Sequence, residues 1–409
     1  MNVWLINHYA VPPQYYPLAR TTNFAKQLMA MGHTVTIFCA SSVHNSDQNL
    51  IEDGRLYREE TVDGVHYVYV RCRTYEGNGI QRILNMLEFP RRLKKVVRQF
   101  AKPDALLTSS MTLQAAKCGI QLARQYGIRA VVEISDLWPE SLVAYGIAGP
   151  KNPAVIALRR LEKWIYKEAD AVVFTMEGAY DYIIEQGWEA EIPCTKVHYI
   201  NNGVDLELFE YNREHYQIDD ADIKNPDIFK VVYTGSIRQV NNLGRLLDAA
   251  KQVQNQNVRF LIWGDGNERK LLEQRVSHEQ ISNVRFKGRV DKKYIPFIVS
   301  QADINLIHGG NKGNSLFRFG ISPNKMFDCF AAERPIIMDL VCKYNPVQQF
   351  QAGICIADVE EIPTAIETIQ MMNAHERQKM CNAAKEAAQE FDFKHLTEKL
   401  LTIIKGDNV

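Results

Sequence analysis

The stretch Ser322-Pro323-Asn324-Lys325-Met326-Phe327-Asp328 sets a cation and a carboxylate at the opening of a helix. A polar loop with a proline leads into an apolar helical run through Cys329-Phe330-Ala331-Ala332, and a short β-like run, Pro335-Ile336-Ile337, follows. Lys325 and Asp328 stand three residues apart, a spacing that puts both on one face of the first turn. A helix start offers unbonded N–H groups and the positive end of the macrodipole, which suits a phosphate. Asn324 and Lys325 would meet phosphates there and Asp328 a ribose diol, the parts of a nucleotide-sugar site. Taken alone, the same residues also fit an ordinary helix start.

Four other junctions carry polar groups where a β-like run ends. Val232-Tyr233-Thr234-Gly235-Ser236-Ile237-Arg238 closes a strand in a Gly235 turn and brings Arg238 near, where a guanidinium can fork onto a diphosphate. Trp263-Gly264-Asp265-Gly266 is a second turn of this kind; it lacks the third glycine of a dinucleotide fingerprint and reads as structural. His308-Gly309-Gly310-Asn311-Lys312-Gly313 follows another strand and makes His308 a candidate sugar contact or a loop histidine without a role. In the first half, Asp136 ends the run Glu133-Ile134-Ser135-Asp136, where it can meet a sugar hydroxyl or cap the next turn. Asp220-Ala221-Asp222 has the spacing of a metal-binding pair but lies in a polar stretch. No Cys/His cluster has ligand spacing, so no metal is expected; no Walker loop or Gly-x-Ser-x-Gly elbow is present either.

These residues need elements to position them. A chain of 409 residues exceeds one ordinary core and predicts two domains. Forty-eight basic residues balance 48 acidic ones, so no overall field favours nucleic acid. The eight cysteines are scattered and read as reduced core residues. Short β-branched runs alternate with amphipathic helical stretches, which predicts α/β domains with parallel, doubly wound sheets. Residues 1–204 form the first, acceptor-side domain; 205–228, polar and acidic, read as a linker; 229–388 repeat the βα rhythm as the second, nucleotide-sugar-binding domain. The stretch 389–409 reads as a terminal helix packing back on the first domain. Ligands in such sheets sit at the carboxyl ends of strands, so the ligand is expected in a cleft between facing domains. The opening Met1–Asn7 reads as a strand, not a leader, and no apolar run approaches a membrane span. The expected location is cytoplasmic.

One helix stands apart. Over Pro90–Phe100, Leu93, Val96, Val97 and Phe100 make an apolar stripe flanked by Arg91, Arg92, Lys94, Lys95 and Arg98. Such a helix can dock peripherally on an anionic membrane surface or serve as a half-buried domain helix with a solvated basic face.

In their order, these motifs resemble the family 4 retaining glycosyltransferases of the GT-B fold, over nearly the whole chain. Gly32-His33-Thr34-Val35-Thr36 looks like the family's GHEVTV segment, and Asn202-Gly203-Val204-Asp205 with Phe209 like its NGVDxxxF junction. Tyr233-Thr234-Gly235, Gly264-Asp265-Gly266, Asn283–Gly288 and Ala302-Asp303 follow in the family's order. Asp136-Leu137-Trp138-Pro139 and Ser322-Pro323-Asn324-Lys325 look like a narrower subset from bacterial O-antigen and capsule assembly, including N-acetyl-L-fucosamine transferases. The chain departs from the pattern at several points. Gly320 stands where the first of two donor-site glutamates is usual and Asp328 at the second. Ser236 and Asn241 replace the usual Arg and Lys, Tyr15-Tyr16 lies where a glycine pair is usual, and Ser135 replaces a histidine.

The resemblance implies sugar transfer from a UDP-sugar, an N-acetylated hexosamine or deoxyhexosamine, to a polyprenyl-diphosphate-linked saccharide at the inner face of the plasma membrane. It implies retention of configuration and no cofactor. Asp136, Arg238 and Lys325 are the expected catalytic residues. Gly235, Arg238, His308, Asn324, Lys325 and Asp328 are expected on the donor, and His8, Arg20 and Asp136 on the acceptor. A nucleotide-sugar epimerase of the same fold and a non-catalytic partner subunit are the alternatives.

Overall fold

The computed structural model describes residues 1–17, 19–309 and 315–406. The chain divides into two units, Met1–Asn201 with Phe393–Val409, and Asn202–Asp392.

In the first unit, β1 (Asn2–Ile6), β2 (Thr34–Ala40), β3 (Tyr57–Val62), β4 (Val65–Val70), β5 (Ala105–Ser109), β6 (Ala130–Ile134), β7 (Ala171–Phe174) and β8 (Val197–Tyr199) form one sheet in the order β3-β4-β2-β1-β5-β6-β7-β8. Every neighbouring pair is parallel except β3 with β4. Side chains alternate across the sheet. Val3 and Leu5 of β1 join Phe24 and Leu28 of the helix Arg20–Ala30 and Phe393, Leu396, Leu400, Ile403 and Ile404 of the terminal helix Phe393–Lys405. Trp4 and Ile6 join Phe89, Leu93 and Val96 on the other face, with Ala115, Cys118 and Leu122. Burial on both faces explains why β5 to β7 are mainly apolar, with Thr108, Ser109 and Glu133 only toward their carboxyl ends.

Two local expectations change here. β3 carries Arg58, Glu59 and Glu60 at the sheet's edge and so lacks an apolar signature; the turn Asp63-Gly64, with φ of 48° and 80°, pairs it antiparallel to β4. The helix placed at 90–100 begins earlier, at Ile80, runs to Val96 and holds Pro90 inside it. Its buried face, Asn85, Phe89, Leu93 and Val96, continues upstream of the proline, and that packing outweighs the lost hydrogen bond.

In the second unit, β9 (Phe229–Thr234), β10 (Val258–Trp263), β11 (Val284–Gly288), β12 (Ile304–Ile307), β13 (Ile336–Met338) and β14 (Gly353–Cys355) form an all-parallel sheet in the order β11-β10-β9-β12-β13-β14. Both units are Rossmann-like, and the strand order of the second reverses between β9 and β12. Residues 205–228 are not a linker. They fold as helices Leu206–His215 and Ala221–Lys224, which bury Phe209 and Ile223 in the second unit. Polar composition hid them because their starts are capped by acids: Asp205 accepts from the Leu208 N–H at 3.0 Å and Asp220 from the Ile223 N–H at 3.0 Å. Asp220 and Asp222 close on the Lys287 ammonium, so the suspected metal pair is an internal ion cluster. No metal-ligand cluster occurs among the described residues.

The loops leaving β9 and β10 run backbone against backbone. Gly235 N–H donates to the Trp263 carbonyl at 3.0 Å and Ile237 N–H to that of Asp265 at 2.9 Å. Gly264 has φ 148°, and a Cβ there would collide with the Gly235 carbonyl; one on Gly266 would meet that of Ile237. Gly264→Ala is therefore expected to destabilise the second unit by roughly 3 kcal/mol or more. Trp263 is the only tryptophan between residues 202 and 392, so urea unfolding followed by tryptophan fluorescence, with the variant compared to the parent, reads this loss. An unchanged midpoint for the second unit would contradict the backbone contact.

Candidate functional site

In the second unit the chemistry gathers where the sheet order reverses. The helix Asn324–Ala331 starts after Pro323, which holds extended backbone, and no side chain caps that start. Its first N–H groups are thus left for a ligand. Lys325 is half-buried, its Nζ donating to the His308 carbonyl at 3.1 Å and lying 4.5 Å from the centre of the Tyr233 ring. Burial pushes its pKa down to about 8, with Cys329 and Asp339 acting in the opposite direction. An ammonium so placed holds no carboxylate within ion-pair distance among the described residues, and an arriving anion would restore its charge's lost solvation.

His308 is not free to touch a sugar. It is 2% exposed, and its Nδ1 bonds a carboxylate oxygen of Asp339 while Nε2 donates to the Asn242 carbonyl at 3.2 Å. The second Asp339 oxygen accepts the Gly309 N–H at 2.9 Å. Three loop ends are thereby tied together, those after β9, β12 and β13, and Asn242 sits in the left-handed region at φ 44°. His308 is a positioning residue, and the carbonyl it presents orients Lys325. Residues 310–314, the rest of that loop, lie outside the described residues.

Asp328 lies three residues on from Lys325, about 60° round the helix, the neighbouring position the spacing implied. The cation that acts on its carboxyl is Lys292, while burial is the larger influence and raises its pKa. No described residue donates a hydrogen bond to that carboxylate. Arg238 is exposed in the loop after Gly235, its guanidinium without an acidic partner among the described residues. Asn241 fixes that loop by donating to the Ser236 carbonyl at 2.7 Å and to its hydroxyl at 2.8 Å.

The first-unit candidates separate into distinct roles. Arg20 spends its donors on the fold: Nε on Glu133 at 2.8 Å, and the two Nη groups on the carbonyls of Asn201 at 2.5 Å and Ile200 at 2.8 Å. It clamps the end of β6 to the end of the first unit and is not presented to an acceptor. His8, 1% exposed, bonds through Nε2 to Asn85 Oδ1 at 2.6 Å. Asn85 donates both amide hydrogens elsewhere, to Ser42 Oγ at 2.8 Å and the Arg73 carbonyl at 2.5 Å. His8 must therefore carry its proton on Nε2, leaving Nδ1 a bare acceptor with no partner among the described residues. Burial lowers its pKa to about 4, so it is neutral at physiological pH. Asp136 is exposed in the loop after β6. Sequence reading passed over Tyr233, Asn242, Glu133 and Asp339. Asp339 had a usable signal, a lone acid at the carboxyl end of a buried strand.

On the basic helix, Arg92 is also part of the fold, donating to the Arg71 carbonyl at 2.5 Å beside Glu88. Arg91, Lys94, Lys95 and Arg98 are exposed.

Comparison with known proteins agrees with this architecture. The Glycosyl transferase 4-like domain family matches residues 18–203 and the Glycosyl transferases group 1 family residues 228–371. The probable glycosyltransferase WbjE of Pseudomonas aeruginosa is 25% identical over 212 residues, 52% of this chain and 51% of that protein. The putative colanic acid biosynthesis glycosyl transferase WcaI of Escherichia coli is 23% identical over 302 residues, 70% of this chain and 71% of the relative. The match thus spans about half of WbjE. Among solved structures, Anabaena HepE in complex with UDP superposes with a TM-score of 0.65 at 15% identity, over 99% of this chain and 100% of HepE. The Escherichia coli trehalose-6-phosphate protein bound with UDP-2-fluoro glucose gives 0.70 at 10% identity, over 99% of each chain. Identities this low speak for the fold alone. With a 4-like match on its first half, a group 1 match on its second and a Rossmann-like unit under each, the chain belongs to the glycosyltransferases of the GT-B fold.

Proposed function

We propose that the protein transfers an N-acetylated hexosamine or deoxyhexosamine from a UDP-sugar to a polyprenyl-diphosphate-linked saccharide, with retention of configuration, in bacterial surface polysaccharide synthesis. The observation that carries the donor half of this reading is Lys325, a half-buried ammonium beside an uncapped helix start at the reversal point of the second sheet. HepE, of the same fold, has been solved with UDP and with UDP-glucose, which supports a uridine donor. In the reaction the bond from the anomeric carbon to the diphosphate oxygen breaks and one to the acceptor oxygen forms. The leaving phosphate takes the acceptor's proton. Lys325, the helix N–H groups and Arg238 stabilise the charge that develops on the diphosphate, each worth a few kcal/mol where water is excluded. Asp328 takes the ribose hydroxyls. Asp136 is the acceptor-side group, while His8, buried like His308, does not reach the acceptor; no cofactor or metal enters. WcaI, a putative colanic acid biosynthesis glycosyl transferase, supports polysaccharide synthesis as the setting. The enzyme works at the cytoplasmic face of the membrane, held there by Arg91, Lys94, Lys95 and Arg98; no helix among the described residues is long and apolar enough to cross it.

Purified protein with UDP-N-acetylhexosamines and a polyprenyl-diphosphate acceptor should release UDP only when the acceptor is present; isomerised sugar without acceptor would instead establish an epimerase. Donor binding carries a pH signature. Lys325 is charged below about pH 8 and loses its proton above it, whereas an ordinary lysine would stay charged to about pH 10. UDP affinity measured by calorimetry is expected to be flat below pH 8 and to fall by up to about tenfold per pH unit above it. Lys325→Arg should abolish that fall, and Lys325→Met should weaken binding about tenfold or more below pH 8 and remove the fall above it. A wild-type profile flat to pH 9.5 (about 1.5 units beyond the expected midpoint) overturns the assignment.

Asp339 adds a second test. Its negative charge raises the pKa of Lys325. Asp339→Asn should therefore move the midpoint of the UDP profile to lower pH, and Asp339→Glu should restore it. A variant that weakened binding equally at all pH values would reduce Asp339 to a purely structural role.

A further inference from the structure

The helix Ile80–Val96 shows water a stripe that changes character halfway. Ile80 is 68% exposed, Ile83 56% and Leu87 37%, at the three- and four-residue steps that keep one face of a helix. The same steps lead on to Arg91, Lys94 and, on the short turn that follows, Arg98, with Lys95 alongside, all exposed. None of these four cations has an acidic partner among the described residues; Lys94 bonds only the neutral amide of Gln121 at 2.7 Å. The opposite face, Asn85, Phe89, Leu93 and Val96, is buried in the first unit. Ile80, Ile83 and Leu87 belong to neither of the two cores that flank the first sheet.

We infer that this stripe is a two-part lipid anchor: Ile80, Ile83 and Leu87 enter the acyl boundary of an anionic bilayer while Arg91, Lys94, Lys95 and Arg98 bind its headgroup phosphates. Each half covers about 10 Å of helix at 1.5 Å per residue, comparable to the headgroup layer and the first carbons below it. The charge selects the occupant. An apolar stripe alone would fit many partners, but one continued by four unpaired cations complements a surface that is apolar below and anionic above. The inference rests on the peripheral-membrane reading and deepens it, because charge alone gives binding that salt removes, whereas insertion gives a salt-resistant component.

The full-length protein is mixed with phosphatidylglycerol/phosphatidylcholine vesicles and sedimented at low and high salt. Wild type should bind at low salt and keep a bound fraction at high salt. The triple variant Ile80→Gln, Ile83→Gln, Leu87→Gln, all at exposed helix positions, should lose the high-salt fraction and partition about tenfold less or weaker still. Its UDP affinity should be unchanged, which verifies the fold. The quadruple variant Arg91→Gln, Lys94→Gln, Lys95→Gln, Arg98→Gln should lose mainly low-salt binding. If the triple variant matches wild type at both salts, insertion is wrong and a charge-only contact stands. If wild type binds no vesicles at either salt, the membrane reading falls and the anchor with it, while UDP binding still reports separately on the transferase reading.

Discussion

The donor unit depends on how closely two backbones approach. The turns after β9 and β10 lie against each other with no side chain between them, because Gly264 and Gly266 leave room for the carbonyls of Gly235 and Ile237. That approach sets where the β9 loop can go, and hence where Arg238 and Asn242 stand. Asn242 in turn receives His308, and His308 sets Lys325 through its own carbonyl. The geometry of the cation is inherited through two hydrogen bonds, Asn242 with His308 and His308 with Lys325, from a place where only hydrogen atoms fit.

A charge held in this way is costly to keep unpaired. Lys325 has an aromatic face and a carbonyl for neighbours, enough to hold it in place but not enough to neutralise it. Asp339 acts from one residue further away and is itself engaged by His308 and Gly309. The site is thus built with its acid kept back and its base forward, the arrangement expected where an anionic ligand supplies the missing counter-charge. In the first unit the same economy appears with the opposite sign. Arg20 is engaged by Glu133, and one acceptor left over among the described residues is the uncharged His8 Nδ1.

The parallel strands were readable because burial on both faces writes them as β-branched runs, and the glycine turns because little else tolerates such backbone. β3 was not readable, since an edge strand with Arg58, Glu59 and Glu60 looks like a loop until its partner is known. The helices within 205–228 were hidden by the acids that cap them. Lys325 was visible from its spacing. Asp339 and the closure of His308 belong to contacts 31 residues apart in the chain, beyond any local pattern.

The terminal helix Phe393–Lys405 has a consequence for the order in which the chain matures. Residues 202–392 are one continuous segment, complete in themselves, whereas the core of the unit begun at Met1 lacks Phe393, Leu396, Leu400, Ile403 and Ile404 until the last turns are made. During synthesis the half that starts first is the half that finishes last. Until then the apolar face of β1, β2 and the helix Arg20–Ala30 is uncovered, a surface for chaperones and for aggregation alike. Cutting the chain after residue 201 would leave that face open permanently, so the first unit is a domain in space but not a separable piece of sequence.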